Sequence, residues 1–365
     1  LSWRLLKLLR VYCLLALIVV FAAMLIYNTF FLPYKLMLKE GVDNFPELFE
    51  LAQKSEPREE PYLTSEVMPD HPLYSALLAK QRNQPSDPLW EPLLDKNNAD
   101  AMYWYAMNNM AGVHQSAKAG LWFVQSAELG NPYAAYFLRE NNYICNRYMA
   151  HLCDDKWKNR AQEIFEELAD KGDLKATYYL HRKFGSWKSS KDTKQLVSTI
   201  NESAKQGYYR PIVDFIGDYE RDFDWKSLED KKKGFEILML AANDNYVPAI
   251  NKALDMLNDK ALKESLSSKQ VYEELLNKAV VLGAHAGVFE KFYINKERFD
   301  VNSADENAKL IMNTYDCIGA EIFNSDLFCN ELSVGERKVA MKEARIIISK
   351  MHSPIFIDEL HPDTF

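Results

Sequence analysis

Glycine is scarce in this chain, 13 in 365 residues, and none of it forms a phosphate-cradling loop. There is no G-x-G-x-x-G and no P-loop. G-x-S-x-G and H-E-x-x-H are missing as well. The seven histidines (His71, His114, His151, His181, His285, His352 and His361) are scattered, none with a companion at metal-ligand spacing. Carboxylate pairs such as Asp154-Asp155 and Glu166-Glu167 fall on amphipathic patterns, where they are solvated faces. The expectation is a protein that is not an enzyme, with no cofactor, no catalytic residue and no metal. A basic excess is lacking too. With 44 Lys and Arg against 52 Asp and Glu the net charge is −8, which disfavours nucleic acid, whose binding rests on cations neutralising phosphates. An acidic body suits a basic protein partner, or simply stays soluble.

Charge is absent altogether from Val11 to Leu32, 22 residues long. As a helix rising about 1.5 Å per residue, the run reaches across a bilayer core. Arg4, Lys7 and Arg10 precede it, which predicts a cytoplasmic N-terminus, although Lys35 and Lys39 reduce the contrast. Its end, Asn28-Thr29-Phe30-Phe31-Leu32, offers no small-x-small cleavage site, so an uncleaved anchor is expected over residues 1–34 rather than a removed signal. Residues 1–39 hold five basic groups and no acid, leaving −13 on the remainder.

Cysteine is also sparse. Beyond Cys13 there are four, in two close pairs, Cys145 with Cys153 and Cys317 with Cys329. An even number beyond an anchor fits an oxidising compartment. Of the three possible connectivities, proximity favours Cys145–Cys153 and Cys317–Cys329; four reduced core thiols are the alternative. Cys145, His151, Cys153 and Asp154 as metal ligands match no common zinc spacing.

What the chain does have is a recurring segment. Gly or Asn, three variable residues and then Ala or another small residue occur at Asn97–Ala101, Gly130–Ala134, Gly172–Ala176, Gly207–Pro211, Asn245–Ala249 and Gly283–Gly287. The first residues lie 33, 42, 35, 38 and 38 apart, a period that means stacked helical hairpins. The Gly or Asn sits where a helix end needs a left-handed residue. Three residues earlier stand Leu94, Ala127, Ala169, Ala204, Ala242 and Val280, where mostly small side chains allow close approach. Seven earlier stand Trp90, Phe123, Phe165, Ile200, Leu238 and Leu276, the large core residues. Residues 35–88 are expected to form a helix leaving the membrane, then an acidic spacer with seven of the fourteen prolines between Pro57 and Pro92, interrupted by a short helix from Leu73 to Lys80. Residues 89–299 carry the repeats. Residues 300–365 form a helical cap around Val334–Met351, with an irregular tail from Ile355 to Phe365.

This grammar resembles the Sel-one-like repeat, a relative of the tetratricopeptide repeat. The best copy is Lys118-Ala119-Gly120-Leu121-Trp122-Phe123-Val124-Gln125-Ser126-Ala127-Glu128-Leu129-Gly130-Asn131-Pro132-Tyr133-Ala134. The resemblance covers residues 89–295 and implies an all-α chain, a right-handed α-solenoid of about five to six hairpins. The family's glycine-rich loop is mostly absent, Asn replaces Gly at 97 and 245, and Phe184–Asp192 and Arg221–Lys233 are longer loops.

In such solenoids helix A lines the concave side, so Tyr103, Met107, Tyr136, Tyr143, Tyr178, Arg182, Phe289 and Tyr293 are expected to face a groove. These are residue types enriched in interface cores, although packing between repeats would use the same rings. The resemblance implies a membrane-anchored scaffold or adaptor in the bacterial periplasm. An alternative is an immunity protein against a phospholipase effector of type VI secretion; a eukaryotic luminal adaptor, glycosylated at Asn201, is another.

Overall fold

The computed structural model describes residues 17–20, 40–110, 113–185, 190–222, 225–266, 269–323 and 329–362. Of the run read as a membrane anchor, only Leu17–Val20 is described, as exposed helix, and the rest lies outside the described residues. Among the described residues no helix is long and apolar enough to cross a membrane, and none is a strand.

Six helices end at the six repeat residues: Asp87–Leu94, Val113–Glu128, Asp155–Asp170, Ser190–Lys205, Leu228–Asn243 and Lys269–Val281. Asn97, Gly130, Gly172, Gly207, Asn245 and Gly283 all have φ between 54 and 97°. At each of them two hydrogen bonds close the helix. Gly130 N–H donates to Ala127 O and Asn131 N–H to Ser126 O; the same pair recurs from Asn97 and Asn98 through Gly283 and Ala284. This is the Schellman termination, which satisfies carbonyls a helix end would otherwise leave orphaned. The next helix starts at once, as Ala99–Asn109, Pro132–Phe137, Leu174–Tyr179, Arg210–Asp222, Val247–Met256 and His285–Val301. In the first three of these, Asn98, Asn131 and Asp173 cap the new helix by accepting from Ala101, Ala134 and Ala176 N–H at 2.8 Å. The two sequence positions read as core are core: Trp90, Phe123, Phe165, Leu238 and Leu276 are fully buried and Ile200 nearly so, as are Ala101, Ala134, Ala176 and Ala249. At the sixth repeat Gly287 is required, because a Cβ there would lie 2.7 Å from that of Ala279. Successive helices pack mainly on their sequence neighbours, as a repeat array does.

Two of the longer spacings, the second of 42 and the fifth of 38, contain an inserted helix. The second repeat inserts a helix, Tyr143–Met149, pinned by the disulfide Cys145–Cys153. The fifth inserts Lys260–Ser265. A second disulfide, Cys317–Cys329, staples the cap, where Glu306–Phe323 packs on Val334–Ile348. Both cysteines of the candidate metal set are therefore committed to a disulfide.

Residues 40–81 are not a spacer held away from the repeats. Pro46–Ala52 packs on the helices Leu228–Asn243 and Ser190–Lys205, with Phe45 edge-on to Phe215 at 4.8 Å. Gly41 (φ +62°) lies against Tyr219, whose ring leaves no room for a Cβ. The proline-rich stretch then runs back along the repeat turns: Asn243 holds Ser55, Asn245 Nδ2 donates to Arg58 O and Glu60 O, and Arg58 pairs with Asp244 at 3.0 Å. Polar turn residues replace the backbone partners that proline-rich chain cannot find within itself. The short helix follows at Tyr74–Gln81.

Candidate functional site: a channel filled by the C-terminal segment

The final described stretch, residues 353–362, has no regular secondary structure, as expected, but it is not a loose tail. It leaves the cap at His352, whose N–H donates to Val281 O at 2.7 Å, reaches residues 65–82 and the core of the first three repeats, and ends beside Arg210 at the fourth repeat turn. Side chains that are about 150 to 290 positions away in sequence take hold of it. Tyr74 Oη donates to Ser353 O at 2.9 Å. The buried amide of Gln81 reads two backbone groups: Nε2 donates to Pro354 O at 3.1 Å and Oε1 accepts from Phe356 N–H at 2.9 Å. Ile355 N–H donates to Ser65 Oγ at 3.2 Å. Residues 353–357 run without a bend, and alternate residues share a side; at Asp358 the chain turns, His361 N–H donating to Asp358 O at 3.0 Å. Ile355 and Ile357 enter the core of the first three repeats, while Phe356 and Leu360 pack against both that core and the core of the later repeats.

Beyond Ile357 the contacts become ionic. Lys175 Nζ lies 2.6 Å from Glu359 and 2.8 Å from Glu66, and the Lys175 and Glu359 side chains are each 15% exposed. Burial alone would lower the Lys175 pKa, but the surrounding acids, Glu359 foremost, outweigh it and hold the ammonium well above its usual range. Burial pushes Glu359 and Asp358 up, against the pull of Lys175 and Arg210. Arg210, only 7% exposed, donates from Nε to His361 Nδ1 at 2.6 Å and lies 3.4 Å from Asp214 and 3.8 Å from Asp358. Burial raises Asp214 to about 6, against Arg210, Arg182 and the Tyr178 hydroxyl. Beside the segment a cavity of about 210 Å³ remains, lined by Asp100, Trp104, Lys175, Tyr208 and Tyr246 among others. The Tyr208 hydroxyl is buried there without a hydrogen-bond partner.

Of the residues expected in a groove, the structure brings three to this channel. Tyr103 Oη donates to Glu359 O at 3.4 Å. Tyr178 donates to Asp214 at 3.0 Å and Arg182 pairs with Asp218 at 2.8 Å, so both stand behind the channel and support its carboxylates. Tyr103 and Tyr178 are 3% and 1% exposed, and their rings have no surface to offer a partner. Tyr136 packs under Arg139 and beside Tyr179, and Met107 packs on the first core. Phe289 packs in the cap with His285 and Phe323. Tyr143 and Tyr293 are exposed and lie elsewhere. Lys175 and Arg210, which hold the segment, and Asp100, Tyr208 and Tyr246, which line the cavity beside it, stand one or three places after the repeat Gly or Asn. A signal was present. The capping Asn or Asp of the first three repeats is given up for Tyr208 and Tyr246 in the fourth and fifth, and Ile355-Phe356-Ile357 is a strand-like run in a helical chain.

No family model and no curated protein matches the chain. Among solved structures it is similar to a protective antigen present in uropathogenic Escherichia coli strains displaying an SLR fold, at 18% identity and a TM-score of 0.38 over 78% of this chain. The chain spans 62% of that protein's length. The repeat assignment stands on this chain's own six Schellman turns and buried positions.

Proposed function

We propose that this protein is a non-enzymatic interaction scaffold. Its helical array binds an extended polypeptide segment along the row of repeat turns, and the run 11–32 holds it at a membrane with its bulk on the oxidising, periplasmic side. The observation that carries the reading is the channel itself: backbone-reading amides, apolar recesses and buried cations already grip one extended segment. Solenoids present long surfaces of this kind to partners. The two disulfides support an oxidising compartment.

The test is a photo-crosslinking amino acid placed at Glu66, at the channel mouth, and as a control at exposed Val301, in native membranes of the host. The reading expects a second polypeptide joined through position 66 and not through 301. Products joining position 66 only to the chain's own residues 353–361 would contradict it.

A further inference from the structure

The segment Ser353–His361 occupies its channel as a ligand would, and four observations bear on whether it is a permanent occupant. First, Gln81 reads the backbone and not the side chains: one amide pairs with a carbonyl and an N–H two residues apart, as a neighbouring strand would. Any extended segment satisfies it. Second, selectivity comes from two recesses that take Ile355 and Ile357, followed by Lys175 and Arg210, which face Glu359 and Asp358. Third, the segment does not fill its site. The cavity of about 210 Å³ lies alongside residues 355–359, and the Tyr208 hydroxyl buried in it has no partner. A buried hydroxyl left unpaired is costly, and a segment with a longer polar side chain would supply its partner. Fourth, only residues 349–352 connect the segment to the helix Val334–Ile348, and the tether is anchored at Val281.

Resting on the scaffold reading above, we propose that Ser353–His361 is a resident ligand that a partner protein displaces. The partner's segment is extended over two branched apolar side chains two residues apart and then turns at two carboxylates, as the resident segment does at Asp358. Recognition at this site is thus for an acidic segment, opposite in sign to what the net charge of the whole chain suggests. The short tether gives the resident segment an effective concentration of about 1 mM, so a resident segment of about 10 μM intrinsic affinity weakens any competitor roughly 100-fold. The channel therefore stays closed to weak or accidental binders.

The probe is a fluorescent synthetic peptide of residues 351–362, added to the full chain. Three forms are compared: the native chain, Ile355→Ser with Ile357→Ser to release the resident segment, and Ser65→Cys with Ile355→Cys oxidised to lock it. Binding to the native chain is expected near millimolar peptide, at least about 10-fold tighter binding to the released form, and none to the locked form until it is reduced. A peptide with Asp358→Asn and Glu359→Gln should bind at least about 10-fold more weakly. No binding to the native chain at millimolar peptide, or equal binding to native and locked chains, overturns the proposal. These two comparisons hold even if the released form fails to fold. Interchain disulfides as the main product of the cysteine pair would make a second copy the occupant and also overturn it. Peptide exchange without a crosslinked partner at position 66 would overturn the scaffold reading and the partner with it, whereas a crosslinked partner at position 66 without peptide exchange would overturn this inference alone.

Discussion

At Lys175 a single ammonium stands between two carboxylates, one from each end of the chain, Glu66 and Glu359. Removing one member of such a buried group leaves the other uncompensated, which costs about 3–5 kcal/mol, whereas replacing the pair by apolar groups is often close to neutral. Lys175→Met alone should therefore destabilise the chain strongly, and Lys175→Met with Glu359→Leu should recover much of the loss. Denaturant unfolding of both singles and the double gives the cycle; additive losses would show that the pair is not coupled. Asp214 makes a second prediction. Its pKa is raised from 3.8 to about 6, so the folded chain binds a proton there more tightly than the unfolded one. Its contribution is then complete below the unfolded value and lost as pH rises through 6, a change of up to about 3 kcal/mol. Asp358 and Glu359 are shifted in the same direction. His285 acts oppositely, because burial lowers it to about 4 and stability is lost as pH falls from 6.5 toward that value. Asp214→Asn should gain stability relative to the native chain as pH rises from 4 to about 6, and parallel profiles of melting temperature against pH over that range would contradict the assignment.

The helices were written plainly in the residues that end them. Gly and Asn at six places predict left-handed φ, and all six are left-handed. Their surroundings give each a different tolerance. Asn97 is exposed, so Asn97→Gly should be neutral or stabilising by a few tenths of a kcal/mol. Asn245 also holds the carbonyls of Arg58 and Glu60, so Asn245→Gly should cost about 1–3 kcal/mol despite the easier backbone. Gly207→Ala, at φ +85°, meets no neighbouring atom and should cost only the backbone term, about 1–2 kcal/mol. Thermal unfolding of the three variants checks the ranking, and equal losses at 97 and 245 would contradict the tie to the proline-rich stretch. The groove was less readable. Tyr103 and Tyr178 sit on helix A as the repeat pattern implies, but whether a helical position faces a channel or the next repeat depends on how the stack closes. Periodicity does not encode that. The first-turn residues Lys175 and Arg210 look like ordinary solvated cations until residues nearly 200 and 150 positions later arrive beside them.

For the whole molecule, two segments fold back on the array, residues 40–67 and 353–361. Residues 40–67 bind the later repeats and then run along the turns, and residues 353–361 run beside them. Two apolar cores, one built on the first three repeats and one on the later ones, share Phe356 and Leu360. A repeat array of this kind has nearest-neighbour stability and bends easily. Here two extended segments tie distant repeats together. Proline content and lack of periodicity marked both segments as irregular, which they are, but irregular sequence carries no sign of where it docks. Hydrogen exchange on the full chain, followed at the amides of Ile355, Phe356 and Ile357, tests this most directly. These amides should exchange at least about 100-fold more slowly than in the isolated peptide, held by Ser65 and Gln81. Exchange at the rate of the free peptide would show that the channel is empty and contradict the account at its centre.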